Sequence, residues 1–553
     1  MIFSKIALIF MVMIHITHEA CSDSINSTPT KNDQKSVNTH FLTKQTPNIL
    51  IIYADDLGYG DVSCYNPEQG KIPTPHIDRL ATQGLRFTDA HSASSVCTPS
   101  RYGLLTGRYP WRTRLQKFVL TTFDKPLINP NRLTIAGLAR AQGYTTACIG
   151  KWHLGWDWDI PELEKSLPLL LKKYRPADVH LMPLAPTQNE LQYWETLFSK
   201  RIFGGPTSCG FDRYFGTDAP NYPPYCFIEN DHTQGSPSAY LTKDKFQKNQ
   251  TTMQGPAMPG WNFEDILPAL GDQAVSYINE ATQAKKPFLL YLPLTSPHTP
   301  LAVNANWRGK SHLNTYADFV METDALVGKI LDAVEVCGAR ENTMVIFSAD
   351  NGCTPHIGVE ELEKLGHFPS ANWRGYKASA WEGGHRVPFI VRWPNIVKAG
   401  EVCDQLIQQT DLMATLADLF AVRLPDNAGE DSFSLLPLLK GLPKKGRDHS
   451  VSTSLNGMPA LRVGSWKLIL GNPSSDYRSS EGPQPIQLFD LSQDPTESCD
   501  LSAKYPERMA SMRKLMEKLI VEGRSTPGMI QPNDVEVIRH PLRENSSPKV
   551  ELK

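Results

Sequence analysis

The sequence lacks the features that mark several large classes of protein. Beyond its N-terminus it has no apolar run approaching the roughly 20 residues that a helix needs to span a bilayer. Its ten cysteines include no C-x-x-C pair, which disfavours a structural zinc site or a thioredoxin-like site. It has no excess of positive charge, with 56 lysines and arginines against 58 aspartates and glutamates. A membrane span and a nucleic-acid partner are therefore not expected.

The amino-acid composition favours a large, folded protein. Of its 553 residues, 40% are hydrophobic and 21% are charged. This balance supplies enough apolar side chains for a substantial core and argues against a disordered protein.

The N-terminus has the pattern of a secretory signal peptide. Lys5 precedes an apolar run over residues 6–14, and Ala20 and Cys21 offer small residues for cleavage. We therefore predict a signal peptide over residues 1–21 and a flexible polar leader over residues 22–46. The expected destination is the periplasm or the extracellular space, or the lysosome in a eukaryotic host. Acylation of Cys21 is an alternative, although His18 stands where a lipoprotein signal usually has an aliphatic residue.

Short apolar runs alternate with helical patterns along most of the chain. The runs that predict strands are residues 48–53, 145–149, 287–292, 343–347 and 387–392. Continuous β-branched and apolar runs of this length favour a parallel sheet that is covered on both faces. Residues 132–142 and 316–336 follow the 3.6-residue period of amphipathic helices. Together these patterns predict an open α/β sandwich.

The pattern changes after residue 441. Residues 461–470 and 487–491 resemble antiparallel strands, and residues 506–522 have the apolar spacing of a helix. We predict a main domain over residues 47–441, a small C-terminal α+β domain over residues 442–524, and a loose tail over residues 525–553.

Polar residues follow four of the predicted strands, directly or within a few residues. In parallel α/β sheets, ligands bind beyond the carboxyl ends of the strands, so these side chains should meet on one rim of the sheet. Because Lys151 and His153 are two residues apart, an extended segment would project both to the same side. The polar residues are Asp55, Asp56, Lys151, His153, His298, Asp350 and Asn351.

Three carboxylates and one carboxamide in this set predict a metal site. Hard divalent cations such as Ca²⁺ or Mg²⁺ bind such oxygen ligands, whereas zinc favours histidine or thiolate. A single aspartate pair could instead cap a helix. Two such pairs at two strand ends favour the metal. The four residues are Asp55, Asp56, Asp350 and Asn351.

Cys97 begins the segment CTPSR, which has the signals of a helix start. Pro99 favours the first turn of a helix and Gly107 its end, so Cys97 should lie at or near the N-cap. Unsatisfied N–H groups and the helix dipole stabilise an anion there, and we expect a lowered pKa for the Cys97 thiol. On these grounds Cys97 could be a nucleophile, a buried apolar residue or half of a disulfide.

CTPSR followed by GRYP resembles the signature of the type I sulfatases, a family within the alkaline phosphatase superfamily. Further motifs occur in the family's order: ADDLGYGD, GKWHLG, GFDRYFG, SPH, ADNG, WEGGHRVPFIVRWP and LFDLSQDPTE. The resemblance covers nearly all of residues 47–522. It implies an alkaline-phosphatase-like fold, with a mixed, mainly parallel sheet between helices and a smaller C-terminal domain of antiparallel sheet plus helix. It also implies hydrolysis of sulfate monoesters, either aryl sulfates or sulfated carbohydrates, to alcohol and inorganic sulfate.

The resemblance implies that Cys97 is converted to formylglycine, present as its hydrate, by a dedicated maturation enzyme. The hydrate would lie near a bound calcium ion. The implied ligands of that ion are Asp55, Asp56, Asp350 and Asn351.

The same resemblance implies roles for the basic residues. Arg101 and His153 would hold the formylglycine hydroxyls, with His153 also serving as a base. Lys151 and Lys377 would bind sulfate oxygens, and His298 would lie beside the leaving oxygen. Lys377 is assigned from its position four residues before WEGG, where a solvated loop lysine is the alternative.

Two other functions stay open on the residues alone. Phosphatases and phosphodiesterases of the same superfamily resemble two-zinc enzymes with a threonine or serine nucleophile, which the Cys97 motif disfavours. A noncatalytic secreted glycan-binding relative would have lost some of the site residues, whereas every position is filled here. The long stretch over residues 156–208 is expected to shape the substrate pocket.

Overall fold

The computed structural model describes residues 46–160, 186–246, 252–443, 446–474 and 485–540. The predicted signal peptide, the leader up to residue 45, and residues 541–553 of the predicted tail lie outside the described residues. So do residues 161–185 of the stretch that is expected to shape the pocket.

The described residues form 18 strands and 11 α-helices, which alternate through most of the chain. The strands are β1 (Asn48–Ala54), β2 (Leu85–Phe87), β3 (Ala90–His91), β4 (Thr145–Lys151), β5 (Arg213–Thr217), β6 (Ile228–Glu229), β7 (His232–Thr233), β8 (Ala239–Leu241), β9 (Gly255–Ala257), β10 (Phe288–Pro293), β11 (Thr343–Ala349), β12 (Phe389–Arg392), β13 (Glu401–Cys403), β14 (Ile407–Gln408), β15 (His449–Thr453), β16 (Pro459–Val463), β17 (Trp466–Ile469) and β18 (Gln487–Asp490). The α-helices are α1 (Pro75–Thr82), α2 (Cys97–Thr106), α3 (Ile135–Ala141), α4 (Gln188–Phe198), α5 (Ile266–Gln283), α6 (Thr315–Val336), α7 (Val359–Lys364), α8 (Glu382–His385), α9 (Leu412–Leu419), α10 (Leu436–Leu439) and α11 (Pro506–Glu522).

The main sheet is mixed, with a parallel centre. Its strand order within the described residues is β13-β2-β12-β11-β1-β10-β4-β5-β6-β7. β1 lies parallel to β10 and β11, and β4 lies parallel to β10 and β5. β12, from the apolar run at residues 387–392, is antiparallel to β11. An apolar run by itself does not determine the direction of a strand. The segment between β11 and β12 begins and ends at the same end of the sheet, and β12 therefore runs opposite to β11.

Both faces of the sheet are buried beneath helices. Alternate residues of β1 belong to two separate cores, with Ile51 in one and Ile52 in the other. The first core includes apolar residues of α2, α3 and α9, and the second includes those of α1, α5 and α6. The predicted α/β sandwich is confirmed.

The C-terminal region adds a second, smaller sheet. β15, β16, β17 and β18 form an antiparallel sheet, and α11 packs on it through Met512, Met516, Leu519 and Ile520. The predicted strand over residues 461–470 is in fact the hairpin β16–β17, which turns at Gly464 with a positive φ of 58°. Helix α11 has the predicted bounds.

Residues 525–540 are more ordered than the predicted loose tail. Ser525 Oγ donates a hydrogen bond to Asp431 Oδ1 at 2.6 Å, and Asp534 pairs with Arg108 at 3.0 Å. Val537 is buried in the core beneath α11. This segment therefore packs against both parts of the molecule. None of the helices in the described ranges combines the length and apolar character needed to cross a membrane.

Candidate active site

The ends of β1 and β11 lie side by side and bring four predicted residues together. Ala54 pairs with Ala349 in the parallel register, so the residues that follow each strand are neighbours. The Asp56 N–H donates to Asp350 Oδ1 at 3.1 Å, and Asn351 Nδ2 donates to Asp56 Oδ1 at 2.8 Å. Asp56 takes a left-handed backbone conformation with a φ of 61°, which aspartate tolerates better than most residues. The predicted oxygen-rich cluster is therefore assembled.

Cys97 is the first residue of α2 and points into this cluster. Its N-cap is Val96, and the helix ends at Gly107 with a φ of 65°, as the sequence predicts. Cys97 is a free thiol and is only 2% exposed. Its Sγ lies 3.6 Å from Asp55 Oδ1 and 3.6 Å from Lys377 Nζ. Of the three possibilities for Cys97, half of a disulfide is excluded.

The expected lowering of the Cys97 pKa is wrong. Burial raises the pKa of this thiol to about 12, although Lys151 and Lys377 act in the opposite direction. The free-energy cost of burying a thiolate exceeds the stabilisation that the N-terminus of a helix gives it. Cys97 is therefore a neutral thiol in this site and a poor nucleophile in unmodified form.

Arg101 and Lys151 bind the carboxylates of Asp55 and Asp350. Arg101 Nη2 lies 2.7 Å from Asp350 Oδ2 and 3.3 Å from Asp55 Oδ1. Lys151 Nζ, at the end of β4, lies 2.7 Å from Asp55 Oδ2. Burial opposes ionisation of Asp55, but Lys151, His298 and Arg101 together hold its pKa at about 2. Asp55 is therefore an anion throughout the physiological range.

Lys377 and His298 lie on the other carboxylate, Asp56. Lys377 Nζ is 2.8 Å from Asp56 Oδ2, so it is not the solvated loop lysine of the alternative. Burial disfavours its charge, but Asp56 and Cys97 raise its pKa well above the usual value. His298 Nε2 is 3.6 Å from Asp56 Oδ2, and its Nδ1 donates to the carbonyl oxygen of Thr299.

His153 has a left-handed backbone, with a φ of 51°, and not the extended one predicted for GKWH. Its Nε2 lies 2.8 Å from the carbonyl oxygen of Leu120. Because a carbonyl only accepts, Nε2 carries the hydrogen and Nδ1 keeps a lone pair. Burial, followed by Lys151 and Arg101, lowers the His153 pKa well below its usual value. Within the described part of the chain, Nδ1 is buried without a hydrogen-bond partner, so His153 is a neutral acceptor.

The structure adds Asp218, which the sequence analysis missed. It follows β5 directly, beside the end of β4. Its Oδ1 accepts hydrogen bonds from His153 N at 3.2 Å and from Trp156 Nε1 at 3.1 Å. Burial raises its pKa to about 7. The signal was available, because RYFGT runs into Asp218 just as the other strands run into their polar residues.

The residues present fit a hard divalent cation. Potential ligand atoms of Asp55, Asp56, Cys97 and His298 all lie within 4.8 Å of one another. Asn351 Oδ1 is buried and has no hydrogen-bond partner among the described residues, which leaves an oxygen available for an ion. Carboxylate and carboxamide oxygens favour calcium or magnesium over softer metals.

Comparisons with known proteins place the chain in a family. The model described as Sulfatase matches residues 47–422, and that described as N-sulphoglucosamine sulphohydrolase, C-terminal, matches residues 375–525. The chain therefore belongs to the sulfatase family. This confirms the predicted type I sulfatase of the alkaline phosphatase superfamily and the predicted enzyme class, a sulfuric ester hydrolase.

Several relatives resemble the chain over most of its length. An N-acetylgalactosamine-6-O-sulfatase of Bacteroides thetaiotaomicron is 32% identical, over 88% of this chain and 96% of the relative. Arylsulfatase A of Homo sapiens is 30% identical, over 85% of this chain and 87% of the relative. A solved structure from work on the metabolism of multiple glycosaminoglycans by Bacteroides thetaiotaomicron has a TM-score of 0.72 and 31% identity, covering 86% of this chain and 99% of that one. The predicted fold class is confirmed.

Proposed function

We propose that this chain is an exported, calcium-dependent sulfatase that uses formylglycine made from Cys97 to hydrolyse sulfate esters of a glycan. One observation carries the proposal. Cys97 is buried and neutral at the start of α2, with Sγ 3.6 Å from both an Asp55 oxygen and the Lys377 ammonium. Oxidation to an aldehyde, which hydrates, would supply the nucleophilic oxygen that this thiol does not.

The surrounding charges suit a sulfate monoester. The substrate is an anion, and Arg101, Lys151 and Lys377 offset the repulsion that an approaching oxygen nucleophile meets. Asp55, Asp56, Asp350 and Asn351 are the residues that would hold the calcium ion. When bound, the ion adds positive charge that stabilises the transferring group.

In the first step, one hydrate hydroxyl oxygen of residue 97 would attack the sulfur atom while its proton passes to Asp55, whose Oδ1 lies 3.6 Å from Cys97 Sγ. A new oxygen–sulfur bond forms, and the bond from sulfur to the substrate's alcohol oxygen breaks. Lys377, whose raised pKa keeps it protonated, is placed to give that oxygen its proton. His298 would do so only as the imidazolium, because burial lowers its pKa and its Nδ1 hydrogen already bonds to the Thr299 carbonyl oxygen. The product is the free alcohol and a sulfated residue 97.

The second step releases sulfate. His153 Nδ1, a buried lone pair with no partner in the described part of the chain, accepts the proton of the remaining hydroxyl. The aldehyde double bond re-forms, and the bond between carbon and the sulfated oxygen breaks. A serine or an unmodified cysteine lacks this second hydroxyl, so it would be trapped as a sulfated enzyme.

We propose a sulfated carbohydrate as substrate, with aryl sulfates as surrogates. The 32% identical relative is named for N-acetylgalactosamine 6-O-sulfate. Another structural relative, at 26% identity and a TM-score of 0.62, is a complex with the oligosaccharide k-i-k-neocarrahexaose. N-acetylgalactosamine 6-sulfate is accordingly the first substrate to test.

The maturation enzyme would have to act before folding is complete. Cys97 is almost fully buried, and Thr98, Ser100 and Arg101 beside it are also buried. An enzyme that oxidises this residue therefore needs the CTPSR segment in an unfolded chain.

Mass spectrometry of the peptide that contains Cys97 tests the proposal together with sulfate release. We expect the mass of formylglycine, sulfate release from N-acetylgalactosamine 6-sulfate and an aryl sulfate, loss of release after chelation, and recovery with calcium. An unmodified Cys97 in fully active enzyme would contradict the mechanism. Faster cleavage of phosphate monoesters would favour the superfamily's phosphatases. Binding of the sugar without any hydrolysis would favour a noncatalytic relative.

A further inference from the structure

Phe118 combines two unusual properties. Its side chain is 44% exposed, and its backbone is left-handed, with a φ of 64°. A single exposed aromatic residue is common on a protein surface. A bulky residue in the left-handed region is uncommon and costly, because its Cβ crowds the following carbonyl group. Strain of this kind persists where the surrounding structure enforces it, and such positions concentrate at ligand sites.

Phe118 lies two residues before Leu120, whose backbone joins two parts of the active site. The Leu120 N–H donates to Thr98 Oγ1 at 3.2 Å, and Thr98 follows Cys97 in α2. The Leu120 carbonyl accepts from His153 Nε2 at 2.8 Å. The segment that carries Phe118 is therefore fastened to the nucleophile's helix and to the proposed base.

Val119, the next residue, borders the other side of the site. It packs against Val96, Ala378 and Leu455. Val96 precedes Cys97 and Ala378 follows Lys377, so Val119 lies between the immediate neighbours of two proposed catalytic residues. Residues 118–120 therefore adjoin the site, through the Leu120 backbone on one side and the Val119 side chain on the other.

The C-terminal domain holds this segment in its strained form. The Phe118 N–H donates to the Leu455 carbonyl at 2.7 Å. Gly457, with a φ of 76°, lets the same turn approach closely, because a Cβ there would collide with the Gln116 carbonyl oxygen. The left-handed conformation of Phe118 is thus built into the contact between the two domains.

We infer that Phe118 is a substrate-binding residue whose ring packs against the apolar C–H face of the sulfated sugar; this rests on the proposed function. The charged groups of the site are suited to the sulfate and the reacting atoms. An exposed aromatic ring on a segment that adjoins the site would supply what they do not, an apolar surface for the leaving sugar. A residue that served only the backbone turn would be glycine, which adopts this conformation without strain.

A set of variants separates binding from folding. Phe118→Ala and Phe118→Gly both remove the ring, but only glycine also relieves the left-handed strain. We expect Phe118→Gly to have the higher thermal midpoint of the two, while both bind N-acetylgalactosamine 6-sulfate about tenfold more weakly. Phe118→Trp should keep most of the affinity. Tyr505→Ala, at an exposed aromatic residue beside Trp466, is the control and should bind as the parent does.

Calorimetric titration of N-acetylgalactosamine 6-sulfate into these variants, each made in a Cys97→Ala protein, measures binding without turnover. KM and kcat for the same sugar are then measured in the active enzyme, and the effect should fall mainly on KM. Unchanged affinity in both ring-deleted variants would overturn the role of Phe118 alone. A loss of affinity that follows the thermal midpoint would overturn it as well. Failure of the parent to bind the sugar would overturn the proposed substrate class and this inference with it.

Discussion

The molecule contains two buried charge clusters that match in composition and differ in purpose. The catalytic cluster pairs three acids with three bases, namely Asp55, Asp56 and Asp350 with Arg101, Lys151 and Lys377. The interdomain cluster, between the main domain and the C-terminal sheet, also pairs three with three, namely Asp89, Glu382 and Glu497 with Arg386, Arg462 and Lys467.

In the interdomain cluster, several cations surround Asp89 and Glu382, and Lys467 also pairs with Glu497. Lys467 Nζ, on β17, lies 3.0 Å from Glu382 Oε1 and 2.7 Å from Glu497 Oε1. Arg386 Nε lies 2.9 Å from Glu382 Oε2, and Arg462 Nη1 lies 3.3 Å from the same oxygen. Burial disfavours the charge of Glu382, but Lys467 and its other neighbours hold its pKa well below the usual value.

The difference shows that balanced charge alone does not make a binding site. His91, Glu382 and His385 are also close enough to hold a metal ion, yet three cations already neutralise Glu382. Glu382 Oε1 and Glu497 Oε1 lack a well-oriented hydrogen bond, but both lie within 3.0 Å of the Lys467 ammonium. At the edge of the catalytic cluster, His153 Nδ1 and Asn351 Oδ1 have no hydrogen-bond partner among the described residues. We therefore expect changes in the interdomain cluster to act on stability and changes in the catalytic cluster to act on activity.

The largest expected effect is that of Cys97→Ala. Sulfate release should fall by at least about 10³-fold, because no nucleophile remains. The thermal midpoint should change little relative to protein with an unmodified Cys97, since that thiol is neutral and its polar contacts are long. Circular dichroism melts and a sulfate-release assay measure the two quantities. Substantial remaining activity, or a protein that no longer folds, would break the contrast between the clusters.

Lys467→Met should have the opposite effect, with a large loss of stability and little change in activity. It leaves Glu382 and Glu497 buried without their shared cation, and we expect a loss of about 3–5 kcal/mol in the free energy of unfolding. The kcat of the folded enzyme at low temperature should stay near the wild-type value. Denaturant titration and steady-state kinetics test this. Lys514→Met, on the exposed face of α11, is the matched control, with an expected change within about 0.5 kcal/mol. Equal losses in both variants would contradict the prediction.

Asp218→Asn should produce a smaller effect that depends on pH. Burial raises the Asp218 pKa from 3.8 to about 7, so the folded protein retains a proton that the unfolded chain releases. The stability of the wild type therefore falls as pH rises from about 4 to about 7. Asparagine keeps an oxygen for the His153 and Trp156 hydrogen bonds but cannot ionise. The variant should match the wild type at pH 4 and exceed it at pH 6 by on the order of 2 kcal/mol.

The free energy of unfolding of the wild type and of Asp218→Asn is measured as a function of pH, and the difference between the two curves tests the prediction. Parallel profiles for wild type and variant across this range would show that Asp218 does not carry the predicted pH dependence. A variant less stable at pH 8 would show that the charged carboxylate is needed in the folded state.

Much of the site was predictable because its residues follow regular elements. The apolar runs of β1 and β11 end at Asp55 and Asp350, and parallel pairing then places those ends together. Pro99 and Gly107 mark the bounds of α2 and thereby the position of Cys97. The 3.6-residue pattern likewise predicts α6 and α11 to within a residue of their observed ends.

The sequence-based predictions that were wrong share a cause. Each concerned a feature that depends on residues distant in the sequence. The direction of β12 depends on the path of the whole segment between Asp350 and Phe389. The left-handed backbone of His153 goes with hydrogen bonds to Asp218 and Leu120, residues remote in sequence. The packing of Val537 depends on a core formed by other parts of the chain.

The order of residues thus accounts for which chemical groups reach the rim of the sheet, since strand and helix periodicity are local properties of the chain. The protonation state, the tautomer and the conformation of these groups depend on the folded environment. Burial raises the pKa of Cys97, the Leu120 carbonyl selects the tautomer of His153, and the turn at Leu455 holds Phe118 in a conformation its own side chain disfavours. Desolvation and pairing depend on atoms contributed by remote segments, and only the assembled molecule brings those atoms together.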